Sequence, residues 1–174
     1  MNQPRILIAG IGNIFFGDDS FGVEVAQELR RRELPHGVSL IDFGIRGLDL
    51  MYSLLDDYST VILVDAVSRG AVPGTLFVIE PEPDATPADV EPRPQMLDPH
   101  TLDPVEVLRA ARAMGSSIQR ILLVGCEPAI LGTDEEMVSG LSEPVRRSVG
   151  PAIELIESLV AESFLKGPSL CMPL

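Results

Sequence analysis

Arg5-Ile6-Leu7-Ile8-Ala9 runs straight into Gly10-Ile11-Gly12-Asn13, and the junction between the two decides the fold class. After Arg5 the first stretch is apolar throughout, as a strand buried on both faces of a sheet has to be. The second is a turn-prone cluster that ends it. Residues 20–32 then place Phe21, Val25 and Leu29 at helical spacing, with arginines at the C-terminal end, where cations suit the helix dipole. Strand, glycine turn and helix make one α/β unit. The pattern recurs downstream. Residues 38–41 read as a strand ending at Asp42-Phe43-Gly44, residues 48–55 as a helix, and Thr60-Val61-Ile62-Leu63-Val64 as a buried strand that stops at Asp65. A Pro73-Gly74 turn precedes a strand over 75–79, and residues 120–124 form the last one. A helix over 103–114 begins with Asp103 as N-cap, Pro104 at the first position and Glu106 three residues on. Another spans 143–162, with Pro144 in its first turn and Pro151 expected to kink its middle. Right-handed crossovers then predict a three-layer α/β/α sandwich with a mostly parallel central sheet.

With 174 residues, 45% of them hydrophobic, the chain is read as a single domain over 1–174. Its core is placed at about 5–162, and the tail 163–174 is expected to be flexible. Between residues 80 and 99 fall Pro81, Pro83, Pro87, Pro92, Pro94 and Pro99, a stretch that holds neither a regular helix nor a central strand. It reads as a surface excursion, since the segments on either side are too small to be domains. Acidic residues number 26 against 13 basic, and the net charge of −13 excludes a nucleic-acid partner, which needs a basic face. Neither a signal peptide nor an apolar run of roughly 20 residues is found, so no membrane partner is expected. Cys126 and Cys171 lie far apart without metal-ligand spacing, which suits a reducing compartment and a cytoplasmic location.

Gly10-Ile11-Gly12 ahead of a helix invites a dinucleotide reading. Yet Phe15 stands where the third glycine belongs, and Asp18-Asp19 would repel a pyrophosphate at the helix N-terminus. No lysine before Ser or Thr completes a phosphate loop. The acids are more telling. Asp19 lies past the first strand, Asp42 at the end of the second and Asp65 at the end of the third, all at the carboxyl edge where open α/β sheets bind ligands. If the first and third strands are neighbours, Asp19 and Asp65 face one crevice. An aspartate commonly caps a helix or forms a turn. Asp65 differs, because it ends an apolar run with no immediate turn. A carboxylate there needs a metal, a donor or a second acid sharing a proton. His100 closes the proline-rich stretch and would complete an O,O,N set for a borderline divalent cation. His36 reads as a turn residue. Cys126 with His100 as base is the nucleophilic alternative. Without a nearby base in sequence or a nucleophile elbow, Cys126 reads instead as a small buried hydrophobe.

Five stretches now stand together: Gly10-Ile11-Gly12-Asn13-Ile14-Phe15-Phe16-Gly17-Asp18-Asp19-Ser20-Phe21-Gly22, Asp42-Phe43-Gly44-Ile45-Arg46-Gly47, Val64-Asp65-Ala66, Asp98-Pro99-His100 and Val124-Gly125-Cys126-Glu127-Pro128. In order and interval, over about residues 5–162, they resemble the motifs of the hydrogenase maturation endopeptidases. The resemblance implies removal of a C-terminal extension from the large-subunit precursor of a nickel–iron hydrogenase after nickel insertion. That precursor is thus the implied partner, and nickel carried by it the implied metal. The family's metal-contact set, also its implied catalytic set, falls on Asp19, Asp65 and His100. Some members carry glutamate where this chain has Asp19, which keeps the charge and shortens the reach. Asp42 matches a family motif and is expected near the site. Catalysis would come from metal polarising the scissile carbonyl or from a carboxylate activating water. Phe15 and Phe16 are candidates to touch the substrate tail. The competing readings are a non-enzymatic metal-binding accessory protein of hydrogenase assembly and a hydrolase using Cys126.

Overall fold

The computed structural model describes residues 5–80, 111–133 and 136–166. In chain order the strands are β1 (Ile6–Ile11), β2 (Val38–Gly44), β3 (Thr60–Ala66), β4 (Leu76–Ile79) and β5 (Arg120–Cys126). They form one sheet in the order β2-β1-β3-β5-β4, parallel except for β4, which pairs antiparallel with β5 at one edge. Alternate residues of a strand point to opposite faces. In β1, β3 and β5 both sets are buried, so both faces must be covered.

On one face Ile6, Ile8, Ile62, Val64, Leu122 and Val124 pack against α1 (Phe21–Leu29) and α3 (Glu143–Lys166). On the other, Leu7, Ala9, Val61, Leu63 and Leu123 pack against α2 (Gly47–Ser53) and the residues that follow it, Leu54 and Tyr58. The three-layer α/β/α sandwich with a mostly parallel sheet stands as expected.

Some boundaries differ. α3 extends to Lys166, so the expected tail loses residues 163–166: Ser163 is buried, its hydroxyl donates to the Leu159 carbonyl, and Phe164 packs on the core. Those side chains continue the helix's apolar face, which the charged Glu162 disguises in sequence. The helix is continuous through Pro151, which lies on its exposed side, where the carbonyl that proline leaves without a donor can meet water. β5 runs through Cys126 because Gly125 and Cys126 pair with Asp65 and Ala66. The proline-rich stretch, the start of the helix expected from Asp103, His100 and residues 167–174 lie outside the described residues. Residues 111–113 are helical, in keeping with that helix's expected end. Among the described residues no helix is long and apolar enough to cross a membrane.

The chain leaves β1 for β2 on one side and returns to β3 on the other. Strand order therefore reverses between β1 and β3, which opens a crevice at their carboxyl ends.

Candidate active site

The turn leaving β1 is squeezed against the start of α1 and the end of β3, and only glycine fits there. A Cβ on Gly22 would lie 2.0 Å from the Val64 carbonyl oxygen and 2.3 Å from that of Ile11. On Gly12, at φ 133°, it would lie 1.7 Å from the Asp19 carbonyl oxygen. These contacts bring the 3₁₀ turn Asp18–Ser20 down onto the crevice, and with it two adjacent carboxylates that serve different ends.

Asp19 remains partly open to solvent, and its Oδ2 accepts the backbone N–H of Asn13 at 2.8 Å. The Asn13 side chain in turn accepts the N–H of Phe15, which holds the turn in shape. Asp65, at the end of β3, is only 9% exposed. Its one hydrogen bond among the described residues is to the N–H of Ala66. Burial, and next the charge of Asp19, push the Asp65 carboxyl up to about 8, against the opposing pull of that N–H. An acid at the end of a fully apolar strand thus keeps its proton at neutral pH and sits close enough to Asp19 to feel its charge. The crevice inferred from strand order does bring Asp19 and Asp65 together. His100 lies outside the described residues, and among those described no group of three or more metal-binding side chains is assembled.

Asp18 turns the other way and is fully buried. Its Oδ2 accepts from the N–H groups of Ala129 and Ile130 and from the Ser142 hydroxyl, and its Oδ1 from the Ser142 N–H. It clamps the loop after β5 against the turn. That loop also meets the turn through bridges from Phe16 to Val138 and from Gly17 to Leu131. Glu127 does similar work after β3. Burial opposes its charge, but the N–H groups of Arg69, Ala71 and Gly70 overcome this and hold its carboxyl below the usual value. Sequence reasoning missed both clamps. Asp18 looks like a twin of Asp19, and Glu127 like an ordinary turn acid.

Asp42, at the carboxyl end of β2, does not join the pair. It lines a neighbouring groove of about 420 Å³ formed by Gly12, Asn13, Ile14, Phe15, Val23, Gln27 and residues 42–46. Phe15, on the groove wall, is exposed, whereas Phe16 is half-buried. His36 sits in a turn. Cys126 is buried at the end of β5, in the core layer that holds α1 and α3. Burial raises its thiol to about 11, with Asp18 and Glu127 adding to the rise and Ser148 lowering it. A thiol that stays protonated and out of solvent makes a poor nucleophile.

Comparison with known proteins bears on this arrangement. A family model described as hydrogenase maturation protease matches residues 23–159. The chain is 34% identical to the hydrogenase expression/formation protein HupD of Bradyrhizobium diazoefficiens, over 91% of this chain and 79% of that protein. It is 31% identical to the hydrogenase 2 maturation protease of Escherichia coli, over 91% and 92% of the two chains. The solved structure of the hydrogenase maturating endopeptidase HybD from E. coli superposes with a TM-score of 0.72 at 30% identity, covering 91% of this chain and 93% of that one.

Proposed function

The chain belongs to the hydrogenase maturation protease family, a family of peptidases, and from that premise we propose that it removes the C-terminal extension of a nickel–iron hydrogenase large-subunit precursor, in the cytoplasm, once nickel is in place. The observation that carries this reading is the acid pair at the switch point: Asp65, nearly buried at the end of β3, its carboxyl raised by burial and by the neighbouring Asp19, which remains partly open to solvent. Two acids side by side at one crevice suit a positive charge. A divalent cation brought in by the substrate would supply the countercharge that burial withholds, and Asp19 and Asp65 would hold it as Asp65 gives up its proton to solvent. In this proposal His100 is the third contact, and the nickel belongs to the precursor. The same chemistry makes the substrate its own signal. A precursor without nickel leaves Asp65 protonated and the site incomplete.

Two substitutions test the assignment directly. Asp19→Asn and Asp65→Asn each take away a group that can become a carboxylate ligand, at nearly constant volume, so both variants should fold yet fail to shorten the nickel-loaded precursor. Cleavage at the wild-type rate by either variant, read as intact mass over time, would show that the pair is not the working site.

A further inference from the structure

Beside the acid pair lies a feature that the cleavage reading leaves unused. Ile14, Phe15, Val23, Phe43 and Ile45 wall the groove between residues 12–15 and 42–46, and three of these large side chains stand open to solvent: Ile14 at 49%, Phe15 at 56% and Ile45 at 59%. Exposed apolar groups gathered around one opening mark a contact surface more often than chance placement does. The volume, about 420 Å³, falls in the range of roughly 300–1,000 Å³ typical of ligand pockets.

The groove is continuous with the acid pair. Asn13 lines it and, through its backbone N–H, holds the Asp19 carboxylate, so one short turn forms both the groove wall and the support of the site. Its charges also narrow the choice of occupant. Arg46 is the one cation on the lining, and three of its five N–H groups are engaged within the chain: Nε donates to the Phe43 carbonyl at 3.1 Å, one terminal nitrogen to the Asp42 carbonyl, and the other to Asp49 at 3.4 Å. An anionic side chain would have to share the groove with the Asp42 carboxylate and shed its water against isoleucine and phenylalanine. A cationic one would meet the Asp42 carboxylate but would have to desolvate against isoleucine and phenylalanine.

Resting on the peptidase reading, we propose that this groove is the specificity pocket for an apolar side chain of the precursor close to the bond that is cut. In this arrangement Asp42 accepts a peptide N–H of the same segment, and Phe15 and Ile45 close over the side chain.

The test uses the full-length chain and a nickel-loaded precursor from its own partner hydrogenase, with initial rates followed by intact mass. Phe15→Ala and Ile45→Asp alter exposed positions, and Leu165→Asp, at the far end of α3, serves as the surface control. Both groove variants should lower kcat/KM by roughly ten- to a hundred-fold, the range that apolar pocket contacts give. The loss should lie in KM with kcat little changed, and Leu165→Asp should match the wild type. Replacing apolar precursor residues beside the cut with aspartate should reproduce the loss and add little to that of Ile45→Asp. Should Ile45→Asp misfold by circular dichroism, Phe15→Ala, which removes only a half-exposed ring, decides the matter. Unchanged KM in the folded groove variants overturns the pocket while leaving the peptidase reading intact. So does a change confined to oligomeric state, which would make the groove a seat for a second copy of the chain. A wild-type chain that cuts no loaded precursor at all overturns both.

Discussion

Two aspartates end their strands alike in sequence and differ in what surrounds them. Asp42 opens onto a groove, whereas Asp65 is nearly buried with Asp19 for a neighbour. That difference has a measurable consequence for stability. In the unfolded chain the Asp65 carboxyl titrates near 3.8, and in the folded one at about 8. Between those values the unfolded state releases a proton that the folded state keeps. Stability therefore falls as pH rises across that window, by about 1.4 kcal/mol per pH unit from this group. Asp65→Asn should remove that slope, so that the variant is more stable than the wild type near pH 8 while inactive. Urea denaturation at several pH values checks this, and an unchanged difference between the two proteins across the window would contradict it. Cys126 makes the opposite prediction for activity. With its thiol buried and raised to about 11, it should resist iodoacetamide in the folded protein, and Cys126→Ala should still process precursor. Inactivation traced to modification of Cys126 would instead restore the thiol mechanism.

Between elements, the working geometry depends on side chains that cross from one loop to another. Asp18 gathers its donors from Ala129, Ile130 and Ser142, so it ties the loop after β5 to the turn that carries Asp19. Asp18→Asn would set an NH₂ group against donors on one side of that cluster. It should lower stability by about 1–3 kcal/mol, the usual result of leaving a buried polar group unpaired. An unchanged denaturation midpoint would show that the clamp carries no weight. The strands were the most legible part of the sequence. Runs such as residues 6–9 and 61–64 are apolar on both alternations, and only a doubly covered strand requires that. The placing of Asp19 and Asp65 at one crevice was legible too, because strand ends and strand order determine it. What stayed hidden depended on side-chain direction. Asp18 and Asp19 differ only in which way a 3₁₀ turn points them, and Glu127 owes its role to the backbone of residues 69–71, far away in the chain. The end of α3 was misjudged because Glu162 interrupts an apolar face that Ser163 and Phe164 resume.

At the scale of the whole molecule, the fold gathers Asp19 and Asp65 at the point where its sheet changes direction. The proposed site of Asp19, Asp65 and His100 lacks the thiolates or clustered imidazoles of a tight zinc centre. The free protein should accordingly bind divalent ions weakly, and treating it with EDTA before assay should leave processing unaffected. Loss of activity on such treatment, restored by added metal, would mean that the protein keeps a metal of its own. The central claim is that nickel in the precursor completes the site. It is tested most directly by incubating the purified chain with nickel-loaded and nickel-free forms of the same precursor and weighing the products by intact mass spectrometry. The account predicts loss of the C-terminal extension from the loaded form alone. Equal and rapid shortening of the nickel-free form would contradict recognition through nickel, and a loaded precursor left whole would point to an accessory protein that binds without cutting.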